Sequence, residues 1–293
     1  MIKPQVWLIG GTSESRELAQ ALSARKIPYI VTVTTPEAQA LYLELEAHRV
    51  RVGAMTPAAM SDFALSHNVR CILDASHPFA STVSQQAIAL STAADLGHPI
   101  SYMRYERSAH HSIDQDSADQ DSADQDSADQ DSADQDRTHS QRATQTNVTV
   151  VENLKTLIES DLLRHQRVLF TLGYRSLPQV ARLHETSTLF ARVLPSEKAI
   201  AGAIAAGFSS ANIIALRPPV ALALEKALWQ QWDISYVVAK AAGRASGETV
   251  KRQAATALGI HLVLLKRPTL LYPKQTNCVL EAINWCAESL SLY

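Results

Sequence analysis

Apolar residues along this chain fall in short runs that alternate with stretches of helical periodicity. Val6-Trp7-Leu8-Ile9 has no polar break and stops at Gly10-Gly11-Thr12. A segment rich in Glu, Arg, Leu and Ala follows at once, which predicts a strand, a glycine turn and a helix from about Ser13 to Ala24. The alternation goes on with strands at Ile27–Val33, Val50–Gly53, Val69–Ala75 and Pro99–Arg104, and helices over Thr56–His67 and Thr82–Leu96. Val69–Ala75 is almost continuously apolar, as a parallel strand covered on both faces must be. Five strands alternating with helices make a doubly wound α/β unit.

The pattern breaks at about residue 108 and resumes at 147. Between Asp114 and Asp136 a pentapeptide, Asp-Gln-Asp-Ser-Ala, repeats with no apolar residue larger than alanine. It cannot offset the entropy lost on ordering, so residues 108–146 read as a solvated, disordered insertion. Strands follow at Val148–Val151, Val168–Thr171, Leu189–Leu194, Asn212–Leu216, Ile234–Lys240 and His261–Lys266. Helices separate them at Glu152–Leu163, Glu197–Ala206, Val220–Trp232 and Gly247–Leu258, and an amphipathic helix near Cys278–Ser289 closes the chain. The expected division is 1–107, 108–146 and 147–293, with two parallel sheets facing each other across a cleft, the usual place for a ligand.

The charge changes the picture once the insertion is set aside. The whole chain of 293 residues carries −2, yet the repeat holds 10 of its 29 acidic residues and no Lys or Arg. The rest has 19 acidic against 27 basic residues, an excess of about +8, which suits anionic ligands. The repeat lacks the glycine and glutamate of a calcium loop, and His110, His111 and His139 beside it read as exposed, so no metal site is expected. Three scattered cysteines read as thiols in a reducing cytoplasm. A core strand almost at the start leaves no room for a leader, and no apolar run approaches the length of a membrane span. Nothing in the pattern calls for nucleic acid, and the oligomeric state is left open.

Candidate chemistry lies where strands end. Two adjacent glycines let a backbone approach a ligand, and the N–H groups at a helix start favour a phosphate, so Gly10, Gly11 and Thr12 are a candidate nucleotide site. The full G-x-G-x-x-G spacing is absent. The second strand ends in Thr34-Thr35-Pro36 without an immediate carboxylate; this leans the cofactor toward NADP, although the same threonines could simply close a strand and start a helix. Ser76-His77-Pro78-Phe79-Ala80 leaves the apolar strand at its carboxyl end, where open α/β sheets place ligands. His77 is the one candidate for proton transfer, and it could equally fix a loop. In the second half Arg175, Arg192 and Lys240 fall at or near strand ends and suit carboxylates or phosphates. Nucleophile elbows, Cys-His pairs and zinc spacings are missing, so the site is built to bind and orient while a cofactor supplies the reactive bond.

Taken together the segments resemble the precorrin-6A reductase family of cobalamin biosynthesis. The resemblance rests on Leu8–Arg16, on Asp74-Ala75-Ser76-His77-Pro78-Phe79-Ala80, on Lys240 with Gly243, Gly247 and Lys251, and on Leu258-Gly259-Ile260 leading to Lys266-Arg267-Pro268. It implies two Rossmann-like domains, NADPH on the first, and an anionic tetrapyrrole between them. It also implies hydride transfer to a conjugated carbon of precorrin-6A or its cobalt-bearing counterpart. On that basis Gly10, Gly11 and Thr12 would cradle the pyrophosphate, Thr34 and Thr35 would lie near the adenosine ribose, and Ser76, His77, Pro78 and Phe79 would border the nicotinamide. Arg175, Arg192 and Lys240 would meet macrocycle carboxylates. Three segments depart from the family: Thr34-Thr35-Pro36-Glu37 stands where Ser-Leu-Ala-Gly-Arg is common, Pro218-Pro219-Val220-Ala221 replaces a Gly-Pro-Phe-Ser-like turn, and Ala241–Gly247 replaces an Asn/Glu-Ser-Gly-x-x-Gly-Gly segment. Two other readings remain at this level, an NADP-sensing regulator without activity and a reductase of a different polycarboxylate.

Overall fold

A computed structural model describes residues 3–42, 50–93, 97–106, 147–243 and 247–291. The acidic repeat and its flanking histidines, the end of the expected Thr82–Leu96 helix, and Arg244 to Ser246 lie outside the described residues.

The first sheet holds β1 (Gln5–Ile9), β2 (Tyr29–Val33), β3 (Val50–Val52), β4 (Val69–Asp74), β5 (Ser101–Tyr105) and a two-residue strand from the far end of the chain, β12 (Gln275–Thr276). The second holds β6 (Val148–Val151), β7 (Arg167–Phe170), β8 (Thr188–Val193), β9 (Ile213–Ala215), β10 (Tyr236–Lys240) and β11 (His261–Leu265). Spatial order is β12-β5-β4-β1-β2-β3 in one and β6-β11-β10-β7-β8-β9 in the other, and every pairing is parallel. Each is therefore a Rossmann-like doubly wound sheet, whose order reverses between β1 and β4 in the first and between β7 and β10 in the second. The α/β class with two parallel sheets is as the alternation predicts.

Period-two side-chain direction divides the central strands between two cores. Val6 and Leu8 of β1 face α1 (Ser13–Ala24) and the last helix, α9 (Val279–Ser291), while Trp7 and Ile9 face α3 (Pro57–Ser66) and α4 (Ser81–Ser91). In β7, Val168 and Phe170 join one core and Leu169 the other. Pro57 at the first turn of α3 and Thr56 capping it illustrate why those residues start a helix. The remaining helices are α2 (Pro36–Gln39), α5 (Leu154–Glu159), α6 (Glu197–Ala205), α7 (Leu222–Gln231) and α8 (Glu248–Leu258). No helix among the described residues is long and apolar enough to cross a membrane.

Two features differ from the sequence reading. Residues 174–185 form consecutive 3-10 turns whose buried side chains, Leu177, Val180 and Leu183, recur every three residues, a period that a 3.6-residue template passes over. The end of the chain, expected to close the second half, belongs to the first sheet: β12 pairs with β5, and α9 buries Ala282, Ile283 and Cys286 in the core that holds Cys71 and Leu73. An apolar helix face records that it will be buried but not against which sheet, and a two-residue strand carries no periodicity. Each sheet thus takes its sixth, edge strand from the chain segment beside the other sheet's run: β6 precedes the second set, β12 follows it.

Ile283→Ala should cost about 2–4 kcal/mol by creating a cavity beneath β1 and β4. Urea denaturation followed by circular dichroism measures it; a helix docked on the second sheet would leave the first sheet's transition unmoved.

Candidate functional site

The glycine turn is fixed from beneath. Gly10 N–H donates to Thr32 O at 2.9 Å, and Gly11 adopts φ +105°, a value side chains resist. Gly11 N–H donates to Tyr42 Oη at 3.0 Å and Ser15 Oγ at 3.1 Å. Ser15 Oγ also accepts from Thr12 N–H at 2.9 Å, donates to Thr12 O at 2.7 Å, and lies 2.6 Å from Tyr42 Oη. Tyr42 is fully buried, and a Cβ on Gly10 would strike its hydroxyl. Thr12 caps α1 and donates through Oγ1 to Ala75 O at 2.9 Å, tying the ends of β1 and β4 together at the point where the sheet order reverses. The glycines were legible; Tyr42, whose hydroxyl dictates Gly10, was not, because it lies some thirty residues further along the chain.

At the end of β4, Asp74 is wholly buried and its carboxylate is saturated. Oδ1 accepts from Ser76 N–H and Arg104 Nη1, both at 3.0 Å, and Oδ2 from Ser84 Oγ at 2.6 Å and Tyr102 Oη at 2.7 Å. Burial and the Asp74 charge both push the Tyr102 hydroxyl up, so it stays a donor. Arg104, 1% exposed, reaches Ser76 Oγ at 3.1 Å, Ser76 O at 2.9 Å and Glu106 Oε2 at 3.2 Å. Burial opposes its charge most, but Asp74 together with Tyr272, Glu106 and Tyr102 outweighs that, leaving the guanidinium above its usual range. Ser76 is consequently a buried anchor of the loop, while His77, Pro78 and Phe79 stand forward of it.

The second sheet meets this loop. Phe79 packs against the core built on Val168 and Phe170, and Lys240 Nζ lies 5.2 Å from its ring centroid, within cation–π reach. Burial and then the neighbouring Arg175 hold the Lys240 ammonium below its usual range. Arg175 is exposed, with its guanidinium 5.7 Å from the Tyr174 ring centre. Arg267, after β11, donates to Glu106 Oε1 at 2.6 Å and to Ala241 O at 2.7 Å, so one carboxylate links Arg104 of the first sheet to the connection leaving the second. His77 is open to solvent on one side and crowded by protein on the others. That crowding, then Lys240, Arg104 and Arg267, push its pKa down to about 4, with Glu14 opposing. A ring that is neutral near pH 7 is a poor proton donor.

The structure thus brings Ser76, His77, Pro78 and Phe79 together with Lys240 and Arg175, and adds Arg104 and Glu106, which the sequence reading passed over, and Arg267, which it named without a role. It does not bring Arg192. That side chain is 8% exposed and paired with Glu225 at 2.6 Å, whose other oxygen accepts from Trp229 Nε1 at 3.1 Å. Arg192 shares a strand face with Phe190 and points under α7. The carboxylate it serves is Glu225, and the expectation of a macrocycle contact is withdrawn. Beside it, burial and the Arg192 charge push Lys251 down to about 8. Thr35 caps α2, accepting from Ala38 N–H at 3.3 Å, as the plainer of its two readings holds, and Thr34 is exposed next to it. Glu37 is held below its usual range by its backbone, by Thr35, and by the charge of Arg217, which comes from beyond β9 of the second sheet.

Two doubly wound parallel sheets, a glycine turn at one reversal of strand order and Lys240 of the second sheet over Phe79 of the first define an α/β protein of two Rossmann-like halves. The family model described as "Precorrin-6x reductase CbiJ/CobK" matches residues 5–287, and the chain belongs to that family, among the reductases of cobalamin biosynthesis. A cobalt-precorrin-6A reductase of Synechocystis sp. is 38% identical over 288 residues, covering 97% of each chain. A precorrin-6A reductase of Rhodococcus erythropolis is 25% identical over 284 residues, 96% of each. A solved structure titled CobK precorrin-6A reductase superposes with TM-score 0.68 at 19% identity, over 98% of this chain and 97% of that one, a likeness of fold.

The two arginines should separate cleanly on substitution. Arg192→Met strands a buried carboxylate and should cost about 3–5 kcal/mol in urea denaturation. Arg175→Met, on the surface, should change stability by less than about 0.5 kcal/mol.

Proposed function

We propose that this chain is an NADPH-dependent reductase of precorrin-6A or its cobalt-bearing counterpart. The observation that carries the reading is the meeting of three elements: the Gly10–Thr12 turn, the His77–Phe79 loop beside it, and Lys240 of the opposite sheet over the Phe79 ring. Family membership supplies the reaction class. NADPH, when bound, supplies the hydride.

The residues suit a dinucleotide. Gly10 and Gly11 present backbone without side chains at the start of α1, and Gly11 is exposed, which favours a pyrophosphate. Tyr42 and Ser15 keep that backbone in shape. At the end of β2, Thr34 offers a hydroxyl and Arg217 a cation, which together suit the 2′-phosphate that separates NADPH from NADH. Lys240 and Arg175 would take acetate or propionate arms of the macrocycle, Lys240 as a point charge and Arg175 through its planar fork. The buried Arg104 holds Ser76 and hence the loop's shape, leaving Phe79 to shield the reacting face from water.

Purified protein should oxidise NADPH in a one-to-one ratio with precorrin-6A or its cobalt form, followed by absorbance at the nicotinamide band; binding without turnover on both substrates would favour a sensor. Gly11→Val, which forces a β-branched residue to positive φ where its Cβ would meet only Ala38 Cβ at 3.8 Å, should weaken NADPH about tenfold or more while the protein stays folded. Arg217→Ala should weaken NADPH about tenfold and leave NADH within about twofold, measured by titration calorimetry.

A further inference from the structure

His77 is held by its own loop. The following proline restricts it to extended backbone, its carbonyl accepts from Ala80 N–H at 2.7 Å, and its Nδ1 accepts from Phe79 N–H at 3.2 Å. An acceptor nitrogen carries a lone pair, so the neutral ring bears its hydrogen on Nε2. Protonation would put a second donor on Nδ1, facing the Phe79 N–H. The charged groups around the ring act in the same direction: Lys240 from the end of β10, Arg104 from β5 and Arg267 from the connection after β11 all oppose an imidazolium, against Glu14 alone from the first turn of α1.

Two of those cations already have carboxylates, Arg104 with Asp74 and Arg267 with Glu106. Lys240 and Arg175 are in no ion pair among the described residues, and His77 Nε2 has no hydrogen-bond partner there. A donor that carries no charge of its own, beside Lys240, which has no counter-ion among the described residues and has Arg175 acting on it in turn, is a receptor for an anionic oxygen. We infer that His77 is a substrate-binding residue working as a neutral donor: its Nε2–H holds one carboxylate arm of the polycarboxylate substrate together with Lys240, and the proton that completes the reduction comes from another source. The inference rests on the proposed reductase reading for the identity of the carboxylate, but the ring's tautomer does not.

His77→Gln keeps an N–H near the position of Nε2 and cannot titrate; His77→Phe keeps a flat ring and loses the donor. His77→Phe should raise the substrate KM about tenfold to a hundredfold, with kcat within about threefold and NADPH affinity unchanged. His77→Gln should return KM to within about threefold of the starting protein, and its kcat should follow pH as the starting protein's does. A kcat that falls as far in His77→Gln as in His77→Phe would make His77 the proton donor, and weakened NADPH in His77→Phe would make it a cofactor ligand; either overturns the inference. Nitrogen-15 spectra of the protein without ligands, at about pH 6, should show His77 with Nε2 protonated and Nδ1 bare, and a charged ring there would defeat it as well. A protein that turns over neither substrate refutes the reductase reading and leaves the spectroscopic test standing.

Discussion

A carboxylate and a guanidinium, both out of reach of water, meet at the carboxyl ends of β4 and β5. Asp74 and Arg104 would each cost several kcal/mol to bury alone, and the pair is tolerable only because nearly every lone pair and proton is used. Asp74 accepts four hydrogen bonds, and three of them come from groups outside its own turn: Ser84 of α4, Tyr102 and Arg104 of β5. Such a saturated network has one low-energy arrangement. It therefore specifies the path of the chain at Ser76 and, through Ser76, where His77 and Phe79 stand. A more apolar core could match its stability without fixing the loop.

The same network reaches the second sheet. Glu106 divides its oxygens between Arg104 and Arg267, and Arg267 also holds Ala241 O, the residue after Lys240. Phe79 reaches into the second core from the opposite direction. The exchange of edge strands adds two covalent crossings, one after β5 and one after β11, so the halves are joined by chain, by ion pair and by an aromatic plug. Relative motion of the two sheets has to strain at least one of these, which keeps Lys240 in register with the loop that faces it.

Much of this is legible in the sequence alone, because periodicity reports burial. The central strands, α1 and the helix starts at Thr12 and Thr56 follow from runs and caps a few residues long. What depends on partners distant in sequence was not legible. Gly10 could be read as permissive for a ligand, but the hydroxyl that excludes a side chain there belongs to Tyr42. Asp74 could be read as part of a specific motif, but its role depends on Arg104, which in sequence is one basic residue inside a strand. Arg192 misled for the opposite reason: a cation near a strand's end reads as a ligand-binding group until the face it occupies is known, and here that face lies under a helix carrying Glu225. α9 misled in the same way, since its stripe fits either sheet.

The cations of the two halves divide by what they are for. Arg104 and Arg192 are deep, have bound carboxylates of their own, and act on the fold; they are permanent charges that need permanent counter-ions. Lys240 and Arg175 are shallower and lack such counter-ions among the described residues; the Arg175 charge adds to burial in holding the Lys240 ammonium below its usual range, a repulsion that a bound anion would relieve. His77 fits this division as a third kind of group. It contributes a donor without adding to the repulsion, because protonating it would set a further positive charge beside Lys240, Arg104 and Arg267. A neutral histidine among cations is thus what a carboxylate receptor requires when its positive charge is already sufficient: directional hydrogen bonding at no further cost in like-charge contact.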